Sequence, residues 1–231
     1  MGNEWRESYN GRWKIYDIFS KREDYPDAAW KAVKKRVDFQ KKVVFEMGCG
    51  TGKYTRKIAT LAKHLFANDI SEVMIEKAKD ACHDLSNITY ICDSAHKSGL
   101  PDNSIDIIFS AWGYVAGDIE LAQKVENEFC RILKPGGEVW ILDNYYEGQF
   151  TQLRGKKVIE DGNKYSEEKY GYKLVEIIPT YFLFESVEEA AEIFGFLFGN
   201  RTKETIIQND IMKITDTVAL MRKCYDERND Y

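Results

Sequence analysis

The stretch Val43-Val44-Phe45-Glu46-Met47-Gly48-Cys49-Gly50-Thr51-Gly52 decides the fold that the sequence predicts. Its short apolar run, which is rich in β-branched residues and stopped by glycine, predicts a buried strand. Lys53 to His64 then predicts a helix, whose apolar face is formed by Tyr54, Ile58 and Leu61. Alternate glycines let the backbone turn sharply and let a ligand approach without meeting a Cβ. This order of strand, glycine turn and helix indicates a nucleotide-like ligand at the carboxyl end of a parallel sheet.

The spacing of the glycines narrows the class of ligand. The dinucleotide fingerprint G-x-G-x-x-G needs glycine at position 53, where this chain has Lys53. The P-loop pattern G-x-x-x-x-G-K-[ST] fails at both ends, at Met47 and at Tyr54. The remaining pattern, Glu46 to Gly52, resembles the first motif of the class I S-adenosylmethionine (SAM)-dependent methyltransferases. Taken alone, the same residues also fit an ordinary glycine-rich turn between a strand and a helix.

A second acid follows the next predicted strand, Leu65 to Asp69. Asp69 lies 21 positions after Gly48, close to the ~20 expected for an acid that reaches a ribose. Two roles stay open for it, since its carboxylate can accept bonds from both ribose hydroxyls or can cap the next helix. Ser71 can provide that cap instead; the buried stripe behind it is Met74, Ala78, Cys82 and Leu85. Asp69-Ile70-Ser71-Glu72 is similar to the second motif of the same family.

Three further segments extend the resemblance from about residue 40 to about residue 143. Ile88 to Cys92 predicts a strand followed by Asp93, where the family has an acid that receives the adenine amine; a plain turn aspartate is the alternative. Ile105 to Phe109 predicts the fourth strand after a Pro-Asp-Asn-Ser turn. The last segment is a helical stripe, a stop and a fifth strand: Leu121, Val125, Phe129 and Leu133, then Lys134-Pro135-Gly136-Gly137, then Val139 to Leu142.

The resemblance implies SAM as the cofactor and a set of site residues. The residues expected to bind the cofactor are Glu46, Gly48, Cys49, Gly50, Gly52, Asp69, Ile70, Asp93, Ser94, Ala95, Ser110 and Trp112. The residues expected to bind the methyl acceptor are Tyr16, Tyr114, Tyr145 and Tyr146. No catalytic base is identified; these four tyrosines and His96 are conceivable, and a structural role is preferred for each. The scattered histidines and cysteines have no metal-ligand spacing, so no metal site is expected.

Composition agrees with one α/β domain in the cytoplasm. A chain of 231 residues, 44% of them hydrophobic, can bury one substantial core. Alternating strands and helices predict a three-layer sandwich around a mostly parallel, doubly wound sheet, with an antiparallel C-terminal strand expected from the resemblance. The net charge of −5 argues against nucleic-acid and anionic-membrane partners. Positions 110–114 also lack the Asn-Pro-Pro-Tyr signature of many methyltransferases that act on DNA or protein. No apolar run is long enough to span a bilayer.

Two regions flank the SAM-binding core, which is assigned to residues 41–143. Residues 1–40 form an expected helical lid segment with an aromatic face of Trp5, Tyr9, Trp13, Tyr16 and Phe19, and a second helix over Asp27 to Val37. For Trp5 and Phe19, packing on the sheet is at least as good an explanation. Residues 144–231 contain two expected strands, Lys173 to Phe184 and Thr217 to Met221. Between them a capping box at Ser186-Val187-Glu188-Glu189 opens a helix over residues 186–199, for which lid, substrate pocket and dimer surface stay open.

The sequence therefore predicts a SAM-dependent methyltransferase that acts on a small molecule. Its mechanism depends on binding and orienting the two substrates and on excluding water. One alternative is a regulatory protein of the same fold that binds SAM or a nucleotide without catalysis. A second alternative, an NAD-dependent dehydrogenase, is opposed by Lys53 at the position of the third glycine. The acceptor, the methylated atom and the oligomeric state do not follow from the sequence.

Overall fold

A seven-stranded sheet forms the centre of the computed structural model, which describes residues 13–114, 118–154 and 156–225. The strands are β1 (Val43–Met47), β2 (His64–Asp69), β3 (Ile88–Cys92), β4 (Ile105–Ala111), β5 (Leu133–Asn144), β6 (Lys173–Leu183) and β7 (Lys213–Tyr225). The helices are α1 (residues 13–22), α2 (Ala28–Arg36), α3 (Lys53–Ala59), α4 (Glu72–Ala81), α5 (Ile119–Ile132), α6 (Gln149–Arg154), α7 (Lys156–Tyr170), α8 (Val187–Phe198) and α9 (Asn200–Gln208). Trp5 and Tyr9 lie outside the described residues.

The strand order is β3-β2-β1-β4-β5-β7-β6. Strands β1 to β5 run parallel, and β7 is antiparallel to both of its neighbours. The sheet confirms the predicted α/β class and the antiparallel C-terminal strand. Met47 pairs with Asn68 on one side and with Ser110 on the other. The carboxyl ends of β1, β2 and β4 therefore meet at one edge of the sheet, where ligands bind in open α/β folds.

Each face of the sheet carries its own hydrophobic core, because successive side chains of a strand point to opposite faces. Val44 faces a core that it shares with Trp30 of α2 and Ile58 of α3. Phe45 faces the opposite core, in which it packs against Phe129 of α5. The result is the predicted sandwich of helices, sheet and helices.

A third core lies beyond the last strands and consists mainly of phenylalanine. Its buried members include Phe150, Phe182, Phe184 and Phe194. Phe19 of α1 packs into it, with its ring centroid 4.9 Å from that of Phe182. Phe19 thus has the packing role that the sequence left open for it. The core joins α1 to the C-terminal region.

Three elements differ from the sequence predictions. The helix after the glycine loop was expected to reach His64, but it ends at Ala59. The Asn87 amide donates to the carbonyls of Ala59 and Ala62, which stabilises a turn there, and His64 already begins β2. The final strand starts four residues before Thr217. Helices α6, α7 and α9 were not predicted, since their sequences are mostly polar.

A candidate cofactor site at the glycine loop

The three glycines after β1 all have positive φ angles but have different surroundings. At Gly48 (φ 73°) an added Cβ would lie 3.0 Å from the Cα of Gly113, and at Gly52 (φ 93°) it would lie 3.1 Å from the Cα of Ala78. These two glycines let backbone segments pack closely. Gly50 (φ 52°) is different, because its Cβ would point toward the ring of Tyr16 at 3.6 Å. Gly50 therefore faces the open side of the loop.

Asp69 holds this loop from the end of β2. Its Oδ2 accepts a hydrogen bond from the Gly50 amide at 2.9 Å, and its Oδ1 accepts one from the Ser71 amide at 2.9 Å. The Ser71 hydroxyl accepts from the Met74 amide at 3.4 Å, so Ser71 is the N-cap of α4, as the sequence allowed. Burial raises the pKa of Asp69, and the two amide donors oppose that rise. Asp69 thus fixes the loop rather than capping the helix.

Glu46 is a buried acid at the next-to-last position of β1, two residues before Gly48. The Glu46 residue is 2% exposed, and its carboxylate oxygen Oε2 has no hydrogen-bond partner among the described residues. Burial raises the pKa of Glu46 to about 8; the neighbouring Thr55 hydroxyl, which is too far away or too poorly aligned to count as a hydrogen-bond donor, opposes the rise, and the charge of Asp69 adds to it. A buried carboxylate oxygen without a donor is unfavourable unless a ligand supplies one.

A pocket lies between α1, the glycine loop and the end of β4. It is lined by Tyr16, Ser20, Glu23, Glu46, Gly48, Cys49, Gly50, Thr51, Lys53, Tyr54, Ala111 and Trp112. Its free volume is about 30 Å³, which is room for about two water molecules. Helix α1 covers the loop closely, since the Tyr16 ring lies 3.6 Å from the position of a Cβ at Gly50.

Lys53 ties α1 to the loop. Its Nζ donates to the carbonyl of Ser20 at 2.7 Å and to that of Glu23 at 3.2 Å, and it lies 3.6 Å from the Glu23 carboxylate. The same ammonium is 5.3 Å from the centroid of the Trp112 ring. Burial raises the pKa of Glu23 to about 7, although Lys53 opposes the rise.

The residues expected at the adenine end lie after β3, at the same sheet edge. The Ser94 amide donates to Asp93 Oδ1 at 2.7 Å, and the Ser94 hydroxyl lies 2.7 Å from Nδ1 of His96. The side-chain amide of Asn68 donates to the backbone carbonyl of Asp93 at 2.7 Å, which joins this turn to the end of β2. Ala95 is buried and begins a single 3-10 turn. These residues form a separate group beside the loop, outside the lining of the pocket.

Of the four tyrosines expected at the acceptor site, Tyr16 alone is part of the pocket lining. Tyr114 donates to the buried Glu126 at 2.6 Å, and burial raises its pKa. Tyr145 donates to the hydroxyl of Tyr146 at 2.7 Å, which raises the pKa of Tyr145 to about 12. A phenol with a raised pKa is a poor base at neutral pH, which agrees with the structural roles preferred for these tyrosines.

Six lining residues were not singled out by the sequence analysis: Ser20, Glu23, Thr51, Lys53, Tyr54 and Ala111. Tyr16, Ser20 and Glu23 follow the helical spacing of four and three residues, so this periodicity could have indicated Ser20 and Glu23 once Tyr16 was chosen.

Ser110 and Gly52 were expected to bind the cofactor, but neither lines the pocket. The Ser110 hydroxyl donates to the carbonyl of Met47 at 3.1 Å, and Gly52 packs against α4.

In the described ranges no group of three or more acidic, histidine or cysteine side chains is arranged to hold a metal ion. Over the same ranges, no helix combines the length and the apolar character that crossing a membrane requires.

Comparison with known proteins agrees with this arrangement. Residues 45–141 match a family described as a methyltransferase domain. Phosphoethanolamine N-methyltransferase 1 of Triticum aestivum is 28% identical over 190 residues, which cover 81% of this chain and 36% of that protein. A ubiquinone/menaquinone biosynthesis C-methyltransferase of Pseudoalteromonas translucida is 28% identical over 141 residues, covering 53% of this chain and 55% of that protein. The chain thus spans about a third to about half of the length of these two curated relatives.

A solved structure extends the similarity to the whole fold. The crystal structure of the cyclase SpnF superposes with a TM-score of 0.65 at 13% identity, covering 96% of this chain and 97% of that one. At this identity the similarity shows the fold alone. The domain match covers the glycine loop, β2, β3, β4 and α5, which contain the candidate cofactor site, and it agrees with the resemblance of these segments to the class I SAM-dependent methyltransferases.

Proposed function

We propose that this protein is a methyltransferase that uses SAM to methylate a small molecule. The observation that carries the proposal is a pair of acids next to the glycine loop: Glu46 in β1 and Asp69 at the end of β2. Asp69 holds the Gly50 amide, and Glu46 presents a buried oxygen that has no donor among the described residues. A ligand with a cationic group at one end and a ribose further along would supply the donor that Glu46 lacks, and its hydroxyls could donate to the remaining lone pairs of Asp69.

The residues present fit SAM. Glu46, Gly48, Cys49, Gly50 and Trp112 would hold its methionine end. Asp69 and Ile70 would hold the ribose, and Asp93, Ser94 and Ala95 would hold the adenine. SAM bound there supplies an electrophilic methyl group. Gly50 supports this assignment, because a Cβ at this position would fill the open side of the loop.

The remaining work of the protein is to orient the acceptor and to exclude water. Helix α1 can do both, since Tyr16 and Glu23 already line the pocket and Lys53 fixes the end of the helix. Holding two reactants in contact supplies several kcal/mol of a transfer barrier. We keep residues 1–40 as the lid segment, 41–143 as the SAM-binding core and 144–231 as the C-terminal region of one domain.

Several observations support a small acceptor and a cytoplasmic location. One relative is named a phosphoethanolamine N-methyltransferase and another a ubiquinone/menaquinone biosynthesis C-methyltransferase, and both names refer to small molecules. The net charge of −5 opposes nucleic acid as a partner. The five cysteines are free thiols, as expected in a reducing compartment.

One structural neighbour favours an alternative that an experiment can separate. SpnF shares the fold and is named a cyclase, so the fold alone does not require methyl transfer. Incubation with SAM labelled at the methyl group and a metabolite extract should transfer label to an extract component and release S-adenosylhomocysteine (SAH). Binding of SAM without any transfer would favour a regulator or another activity on the same fold.

A further inference from the structure

One buried carboxylate links the segment after β4 to the last two strands. Glu126 of α5 is 4% exposed. Its Oε1 accepts from the hydroxyls of Tyr114 at 2.6 Å and Tyr172 at 2.7 Å. Its Oε2 accepts from Lys223 Nζ at 2.8 Å and from the Tyr225 hydroxyl at 3.0 Å. The carboxylate is therefore fully hydrogen-bonded, as burial of a charged group requires, and the Lys223 ammonium balances its charge.

The residue two positions before Tyr114 has an unusual backbone conformation. Trp112 has φ 52°, in the left-handed region that bulky side chains rarely adopt. Such a conformation is unfavourable and persists only where the surrounding structure fixes it. The Trp112 amide donates to the carbonyl of Leu142 at 2.8 Å, which holds this residue beside β5. The residues that follow Trp112 must fix the segment on its other side.

Gly113 and Tyr114 supply these contacts. A Cβ at Gly113 would lie 2.8 Å from the carbonyl oxygen of Met47 and 3.1 Å from the Cα of Gly48, so Gly113 packs directly on the start of the glycine loop. Tyr114 is 8% exposed, and its bond to Glu126 is the shortest that this carboxylate accepts from the described residues. The segment is thus held to the loop at Gly113 and to α5 at Tyr114.

Residues 112–114 connect the two faces of the sheet. Trp112 packs against the core that contains Tyr54, another residue of the pocket lining. Tyr114 belongs to the core on the opposite face, together with Phe129 of α5. Glu126 lies on that opposite face and outside the lining of the pocket. A carboxylate that does not touch the pocket therefore reaches it through three consecutive residues.

Trp112 is the end of this connection that lies at the pocket. It lines the pocket with Glu46 and Gly48, and the Lys53 ammonium lies 5.3 Å from its ring centroid. Its indole Nε1 is buried and has no hydrogen-bond partner among the described residues. A buried N–H without an acceptor is unfavourable unless a ligand supplies one. The position of Trp112 therefore decides both the shape of the pocket wall and the place where this donor is available.

We propose that Glu126 is a positioning residue for the cofactor site and that, through the Tyr114 hydroxyl, it holds Trp112 in its left-handed conformation beside the glycine loop. The effect on SAM binding rests on the proposed function, whereas the placement of Trp112 does not depend on any ligand. Tyr172 offers a matched comparison, because it donates to the same oxygen from the start of β6. Loss of the Tyr114 bond displaces Trp112, and loss of the Tyr172 bond does not.

The first test follows Trp112 in the protein without cofactor. The full chain is labelled with 5-fluorotryptophan, and the fluorine resonance of Trp112 is assigned by its absence from Trp112→Phe. We expect Tyr114→Phe to shift this resonance by more than its linewidth, or to broaden it. Tyr172→Phe, which also removes one buried hydroxyl, should leave it in place. An unchanged Trp112 resonance in Tyr114→Phe, or the same change in both variants, would overturn the proposal.

The second test measures the effect on the site by calorimetry of SAH binding. We expect at least a fivefold loss of affinity in Tyr114→Phe and less than a twofold loss in Tyr172→Phe. Because Tyr114 acts through Trp112, adding Tyr114→Phe to Trp112→Phe should cost less than twofold more. A full additional loss in that background, or equal losses in the two tyrosine variants, contradicts the proposal. A wild type that binds no SAH contradicts the proposed function instead, and the fluorine spectra still decide whether Glu126 places Trp112.

Discussion

At the scale of single residues, Gly48, Gly50 and Gly52 have different tasks that the motif does not reveal. Gly48 and Gly52 allow close packing against Gly113 and Ala78, and Gly50 faces the pocket. All three have positive φ angles, so conformational freedom alone does not distinguish them. What distinguishes them is the neighbour that an added Cβ would meet, which depends on tertiary packing.

Gly50→Ala should weaken cofactor binding more than stability. Because Gly50 has a left-handed backbone conformation, any residue with a Cβ at this position should lower the free energy of unfolding by ~1–2 kcal/mol. The new Cβ would also occupy the side of the loop that faces the pocket. Gly99→Ala is the matched control, since Gly99 has φ 67° and nothing within 4 Å of its Cβ position. Urea unfolding should show similar losses for both variants, whereas calorimetry should show about a tenfold or greater loss of SAH affinity for Gly50→Ala alone. Equal SAH affinities would show that Gly50 does not face the cofactor.

Asp69→Ala should affect both stability and cofactor binding. The variant leaves the amides of Gly50 and Ser71 without their acceptor, which costs about 1–3 kcal/mol. Loss of a charged partner for the ribose should weaken SAH binding at least ~tenfold, with a smaller penalty for 2′-deoxy-SAH than in the wild type. Ser71→Ala removes the cap of α4 and should lose ~1 kcal/mol of stability with normal affinity. A 2′-deoxy penalty that is the same in Asp69→Ala as in the wild type would place the ribose elsewhere.

At the scale of elements, α1 covers the candidate site and is held there by Lys53. It covers a pocket with about 30 Å³ of free volume, and Lys53 fastens its end through two carbonyls. We expect Lys53→Met to free this end and to leave Glu23 without its cation. Hydrogen exchange of residues 13–22 should then be at least about tenfold faster, because local opening needs ~1.4 kcal/mol less. Exchange in α5 serves as the control. Unchanged exchange in residues 13–22 would show that Lys53 does not restrain the helix.

The elements that the sequence predicted are those with a strong periodic pattern. The five parallel strands are apolar runs between turn residues, and α5 has a stripe that includes Val125 and Phe129. Helix α7 lacks such a stripe and contains Gly162, so its sequence predicts no helix. The start of the C-terminal strand was predicted four residues too late, since residues 213–216 contain a single apolar residue, Ile214. Tertiary pairing with β5 and β6 decides these residues rather than local preference.

At the scale of the whole molecule, buried acids should make stability depend on pH. Burial raises the pKa of Glu46 and Asp216 to about 8, of Glu23 to about 7 and of Asp143 to about 6. The unfolded chain loses these protons near pH 4, so it binds fewer protons than the folded chain over the range between. The free energy of unfolding should therefore fall as pH rises from about 4 to about 8.

Urea unfolding at pH 5 and pH 8 measures this fall, which we expect to be at least ~2 kcal/mol, at ~1.4 kcal/mol per unit of pKa shift. Asp216→Asn should reduce the fall and should be more stable than the wild type at pH 8. Glu147→Gln, an exposed acid, should not change it. Stability that rises from pH 5 to pH 8 would contradict the burial of these charges.

The loop part of the candidate site follows from the sequence more directly than the rest of the pocket lining. Glu46 and Gly50 belong to one contiguous motif, and Asp69 follows at a spacing that a βαβ unit fixes. Ser20 and Glu23 are brought to the loop only by the fold. Because no local pattern connects them with the loop, the sequence alone did not assign them to the site.

The central claim is that the glycine loop binds SAM, and calorimetry with the wild-type protein tests it directly. We expect both SAM and SAH to bind in the micromolar range, which corresponds to roughly 7–8 kcal/mol, and NAD to give no heat. Lys53 in place of the third glycine is the reason to expect that NAD does not bind. Absence of both heat and thermal stabilisation with SAM and SAH would contradict the account, and so would binding of NAD in their place.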